Sequence, residues 1–130
     1  MSTDLLCLLI LALWSFPLNH IPALARVSYA GGVKWGMGNR ETQPQVPPWV
    51  ERADRAQRNH HDNLAMIATV ILIAHTTGKA DGITAIASIV VLIMRILHSL
   101  TYLFGVIGVR TIAYAGAIAA LFVIVWRIFS

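Results

Sequence analysis

The stretch ERADRAQRNHHDNLAMIATVILIAH, Glu51 to His75, decides how this chain folds. It passes from dense charge into continuous hydrocarbon with neither glycine nor proline between, so one helix carries both halves. In a helix starting near Pro48, Arg52, Arg55, Asn59 and Asp62 recur at spacings of three, four and three and form one stripe. Arg58 and Asp62 are four apart and spaced to pair. Arginines at such an entry commonly snorkel to headgroups, and for Arg52 that reading is the simpler one. Asn59 and Asp62 lie deeper and reach less far. A carboxylate beside hydrocarbon calls for a partner inside the protein or for a water-filled cavity.

The rest of the chain agrees with a membrane setting. Of its 130 residues 57% are hydrophobic and only 12% charged, an imbalance far from that of a soluble domain. The formal charge of +4 then speaks of membrane topology before nucleic acid, which is not an expected partner. The single cysteine, Cys7, closes no intrachain disulfide. A span needs roughly 20 mostly apolar residues, and four segments approach this: about Leu5–Val27, Asn59–Thr77, Gly82–Phe104 and Thr111–Ile128. They predict an all-α membrane protein, a four-transmembrane-helix bundle with one domain over residues 1–130. Pro17 and Pro22 predict a bend or an early end in the first span. "LLCLLILALW" also has the look of a signal-peptide h-region, with Ala23-Leu24-Ala25 as a cleavage site; the absence of a basic segment ahead of it favours a retained helix.

Most Lys and Arg fall between the first two spans, with Arg110 between the last two, while Lys79 and Arg127 stand alone on the other face. The positive-inside rule therefore places both termini opposite the cytoplasm. The Gly- and Pro-rich connection Ser28–Val50 is the only long one, a length often associated with function. Trp35, Trp49 and Trp126 read as interfacial belt aromatics. His60 and His61 are adjacent, point apart on a helix and make a poor metal pair, so they read as interfacial residues; no metal site is expected.

The third span repeats the polar stripe. Arg95, His98 and Tyr102 recur at three and four within IVVLIMRILHSLTYLF. An arginine at that depth is costly if unpaired, so a countercharge is expected, with Asp62 and Glu51 the available carboxylates. A buried Arg–Asp tie between helices is one reading. Number and type favour another: Arg52, Arg55, Arg58, Arg95 and Arg110 gather with Asn59, His98 and Tyr102 toward one end of the spans, and cationic donors outnumber acceptors. That excess suits an anionic ligand, most naturally a carboxylate-bearing one, with anionic lipid headgroups as the competitor.

At this point the residues resemble a family. ERADRAQRNHHDN is similar to the second-helix signature of the MAPEG superfamily, membrane-associated proteins in eicosanoid and glutathione metabolism, a pattern close to E-R-x-x-R-A-x-x-N-x-x-E. RILHSLTYLFGVIGVR resembles its third-helix signature, and WGMGNRE is similar to bacterial members, which implies a bacterial inner membrane. The resemblance covers nearly the whole chain. It implies a homotrimer of four-helix subunits holding glutathione between neighbours. Arg55, Asn59 and Asp62 then match glutathione contacts, as do His98 and Tyr102, with Arg95 beside them in the same stripe, and Arg110 matches the arginine thought to stabilise the thiolate. Asp62 stands where the family has Glu, one methylene shorter, and Asn63 where some eicosanoid-converting members have Tyr.

The leading expectation is thus a glutathione transferase or peroxidase acting on lipophilic electrophiles from the bilayer, with glutathione as co-substrate. A non-catalytic trimeric scaffold binding lipid or another thiol is the alternative. A proton or ion pathway through Arg95, His98 and Asp62 is the weakest, because MIATVILIA and ITAIASIVVLI offer an ion nothing to follow.

Overall fold

The computed structural model describes every residue from Met1 to Ser130. Its elements are α1 (Thr3–Val27), a short α2 (Gly32–Met37), α3 (Pro48–Thr76), α4 (Gly82–Phe104) and α5 (Ile107–Phe129), with no strand. The four long helices form an up-and-down bundle, α1 lying on α3 and α4, and α3 and α4 both lying on α5. The short connections from α3 to α4 and from α4 to α5 enforce the antiparallel order of those three helices. Gly105 at φ 76° ends α4, and α5 begins two residues later.

Three helices, α1, α4 and α5, are long and apolar enough to cross a membrane by themselves. The fourth, α3, carries 29 residues, about 43 Å at 1.5 Å per residue, which exceeds a hydrocarbon core of roughly 30 Å. Its charged N-terminal turns therefore extend to the polar side, while Ile67, Ile71 and Ala74 join Leu11, Val91, Leu121 and Ile124 in the core. Large apolar side chains such as Phe16, Leu24, Ile86, Ile93, Ile112 and Phe122 face outward, as lipid-facing residues do. This is an all-α integral membrane protein.

The early end expected at the prolines does not occur. Helix α1 runs on to Val27 with Pro17 and Pro22 inside it. Both rings border a narrow groove against Ala53 and Ala56 of α3 and Leu103 of α4, where small alanines admit the thickened proline face. Packing against neighbouring helices is what lets membrane helices keep such breaks. Beyond the prolines, buried Arg26 pairs with Asp54 and fastens the end of α1 to the start of α3.

The long connection also differs from a plain loop. It folds into α2, entered through Gly31 at φ 78°, and Gly32 sits against the carbonyls of Arg26 and Val27, where a Cβ would have no room. Trp35 is not an interfacial belt residue: it is buried, with the guanidinium carbon of Arg26 5.6 Å and that of Arg40 4.9 Å from its ring centre. At the opposite end of the bundle, the Asp81 carboxylate caps α4 and accepts from Arg127 Nε of α5 at 2.7 Å. The Thr84 backbone N–H, then Arg127, hold its pKa below the usual carboxylate value. Ser88 Oγ donates to buried Asp4 at 3.0 Å, tying α1 to α4 on the same side.

Candidate functional site

Helices α3 and α4 meet through the polar stripes the sequence predicts. Arg95 is 1% exposed, and its Nη2 donates to the Asn59 carbonyl at 3.1 Å and to Asn59 Oδ1 at 3.0 Å. The expected countercharge is missing from the chain. Its ion pairs are Arg26–Asp54 and Arg127–Asp81 alone; Glu51 and Asp62 are exposed, and Arg58 does not pair with Asp62. The reason is rotational. Arg95 faces Asn59, whereas Asp62 lies further around α3 and looks outward. Nε and Nη1 of Arg95 are left buried without acceptors.

Below Asn59 a cleft of about 250 Å³ opens to the outside, lined by Asn59, His98, Tyr102, Arg110, Thr111 and Tyr114. His98 is buried at its back, edge-on to Tyr102 at 5.6 Å and tilted against Tyr114 at 5.8 Å. The Gly105 turn folds α5 back along α4, so Arg110 comes to lie over Tyr102 with its guanidinium carbon 4.5 Å from the ring centre. A cation over an aromatic face keeps its N–H edges free for an anion. Arg110 belongs to the first turns of α5, not to a loop, and the amide dipoles of a helix start add to its positive potential.

Of the residues singled out from sequence, Asn59, His98, Tyr102 and Arg110 meet in this cleft, and Arg95 supports it from behind through Asn59. Arg55 and Asp62 do not line it; they continue the same α3 stripe above and below as exposed side chains. Tyr114 was not among the expected residues, yet it stands four positions after Arg110 and so on its face of α5, a spacing visible in the sequence. Arg52 is not a headgroup anchor: its Nε donates to Leu103 O at 2.9 Å and satisfies a carbonyl at the end of α4. His60 is not interfacial either. It is buried, and its Nε2 donates to Leu11 O at 3.1 Å, joining α3 to α1.

The architecture is that of a helical membrane protein whose polar, cation-rich cleft opens at the side of the bundle. The MAPEG family model matches residues 4–130, and the chain belongs to that family, membrane proteins of eicosanoid and glutathione metabolism. No curated protein matches it.

Proposed function

We propose that the cleft binds glutathione and that the protein is a glutathione transferase or peroxidase acting on lipophilic electrophiles. The observation that carries this reading is Arg110, poised over Tyr102 in an open cleft with Thr111 beside it. A free thiol ionises near pH ~8.5, and a guanidinium within contact favours the anion that is the nucleophile. Thr111 Oγ1 reaches only the Ile107 carbonyl, at 3.3 Å, and is free to turn toward a sulfur. The thiol proton leaves to solvent. The thiolate then forms the C–S bond to an aromatic electrophile as halide departs, or takes the terminal oxygen of a hydroperoxide as the alkoxide leaves and is protonated to the alcohol. Exposed Phe104, Ile107 and Ile112, close in the chain to Tyr102, Arg110 and Thr111, add apolar surface suited to a substrate dissolved in lipid.

Arg55 and Asp62 fit the same reading if a second copy of the chain closes the cleft. The stripe they share with Asn59 would then contact a peptide ligand's carboxylates and amine across the interface of a homotrimer. The positive-inside orientation puts this mouth at the cytoplasmic face. Purified protein is assayed for conjugation of a chlorinated nitrobenzene and for reduction of a lipid hydroperoxide. Absence of both in wild type, or an Arg110→Ala rate equal to wild type, rejects catalysis.

One observation favours the alternative of a non-catalytic binder: Arg55, Arg58, Arg95 and Arg110 are in no ion pair, a cationic excess that anionic lipid headgroups also suit. Calorimetry separates the two, since a lipid signal without glutathione heat supports the binder.

A further inference from the structure

A second cavity, of about 610 Å³, lies away from the cleft, between α2 and the extended run Asn39–Pro44 that leads to α3. Lys34, Trp35, Asn39, Arg40, Glu41 and Gln43 are among its lining. None of these charged side chains is in an ion pair, although Arg26 beneath them is. Arg40 is the only non-glycine residue with positive φ, 62°, a left-handed backbone that an arginine adopts at a cost. That conformation brings its guanidinium to 4.9 Å from the Trp35 ring centre and leaves its N–H edges free. The backbone N–H groups of residues 39–43 donate to nothing in the chain. The cavity is thus rich in unused donors around two free cations, with one free carboxylate in the same wall.

Its rim is apolar. Val33 and Met37, four apart on α2, are 60% and 87% exposed, so they share a face turned away from the protein. Leu24, at the end of α1, is 68% exposed. A polar cavity lined by a short helix with outward apolar side chains, next in the chain to the end of a membrane helix, suits the depth of lipid headgroups.

We propose that this cavity binds the headgroup of a zwitterionic aminophospholipid, its phosphate taken by Lys34, Arg40 and the free backbone amides and its amine by Glu41, with Val33 and Met37 against the acyl chains. This site is separate from the cleft of Arg110 and does not depend on that cleft's ligand. Lipid held there braces the connection between α1 and α3 against the bilayer.

The test is native mass spectrometry of the full chain released from detergent after incubation with phosphatidylethanolamine, phosphatidylglycerol or diacylglycerol of identical chains. Wild type retains phosphatidylethanolamine at least tenfold more than diacylglycerol and several-fold more than phosphatidylglycerol. The pair Lys34→Gln and Arg40→Gln abolishes that preference over diacylglycerol; both side chains are exposed, and circular dichroism verifies the fold. Glu41→Gln removes the preference over phosphatidylglycerol alone. Equal retention by wild type and the Lys34/Arg40 variant overturns the site, and so does equal retention of diacylglycerol. Displacement of the lipid by inorganic phosphate assigns the cavity to a soluble anion and overturns the lipid. Displacement by glutathione makes it part of the thiol site and overturns its independence.

Discussion

Replacing Arg95 by methionine tests the most unusual feature of the bundle, a buried guanidinium whose partners are both on Asn59. Two hydrogen bonds from a charged donor contribute roughly 1.5–3 kcal/mol each, while two buried N–H groups without acceptors cost roughly 1–3 kcal/mol each. Nε and Nη1 are in that second class. The two pairs nearly cancel, and burying a charge with no carboxylate opposite adds a further cost. Methionine fills a similar volume without a charge, and half-buried Asn59 keeps access to water. Arg95→Met therefore leaves stability within about 2 kcal/mol of wild type or raises it, measured by denaturant unfolding in detergent. On the proposed glutathione reading, affinity by contrast falls about tenfold, roughly 1.4 kcal/mol, because Asn59 loses the group that orients it. In an Asn59→Ala background the Arg95→Met change then adds little, since both act through one contact. A loss of stability above about 3 kcal/mol, the size that a broken buried ion pair has, refutes this reasoning.

Arg110→Ala lowers kcat/KM for conjugation by about 100-fold at neutral pH, in the range of other lost electrostatic contacts to a developing anion, and moves the rate profile to higher pH; Arg110→Lys restores part of both. At the opposite end, Asp81 has a depressed pKa, so the stability it contributes is present above the unfolded value of about 3.9 and is lost as pH falls through the lower folded value. Acid unfolding of Asp81→Asn is accordingly less steep below about pH 4 than that of wild type, and an unchanged acid limb refutes the assignment. Gly32→Ala places a Cβ against the Arg26 carbonyl and 2.7 Å from the Val27 carbonyl oxygen, which costs about 2–4 kcal/mol. Gly31→Ala, with open space around it but φ 78°, costs about 1–2 kcal/mol; a reversed order in thermal shift contradicts the packing of α2.

The bundle was legible because hydrocarbon length and polar spacing are properties of single segments. Arg55, Asn59 and Asp62 do share a face of α3, and Arg95, His98 and Tyr102 one of α4. What spacing omits is rotation of one helix against another, and this is where expectation and structure part. Asp62 and Arg95 were each in need of a partner, yet the α3–α4 contact turns Arg95 to the Asn59 carbonyl and leaves Asp62 outside. The early end expected at the prolines failed for a related reason: Ala53 and Ala56 sit on a different helix, and only the fold brings them against Pro17 and Pro22. Arg52 and His60 likewise seemed to belong to the interface because their acceptors, Leu103 O and Leu11 O, are backbone atoms that no side-chain pattern reveals.

These displaced expectations bear on what completes the cleft. A chain that buried Arg95, aligned Asn59 and stacked Arg110 on Tyr102 solely to hold its helices together would be expected to pair its charges inward, as Arg26 does with Asp54. Arg55, Arg58 and Asp62 instead stand exposed along the same α3 face, in the part of the helix nearest the polar side. Both signs are present there without being matched to each other, an arrangement that fits the proposed zwitterionic peptide or a second chain. The two occupants predict different responses of the oligomer to mutation. If another subunit closes the stripe, Arg55→Ala or Asp62→Ala weakens the oligomer in detergent by crosslinking or mass, and glutathione affinity falls with it. If the peptide alone contacts these residues, the oligomer is unchanged and only affinity falls. An Asp62→Glu variant separates the remaining question of reach, since one added methylene alters glutathione affinity when the contact is direct and leaves it untouched when the carboxylate faces only solvent.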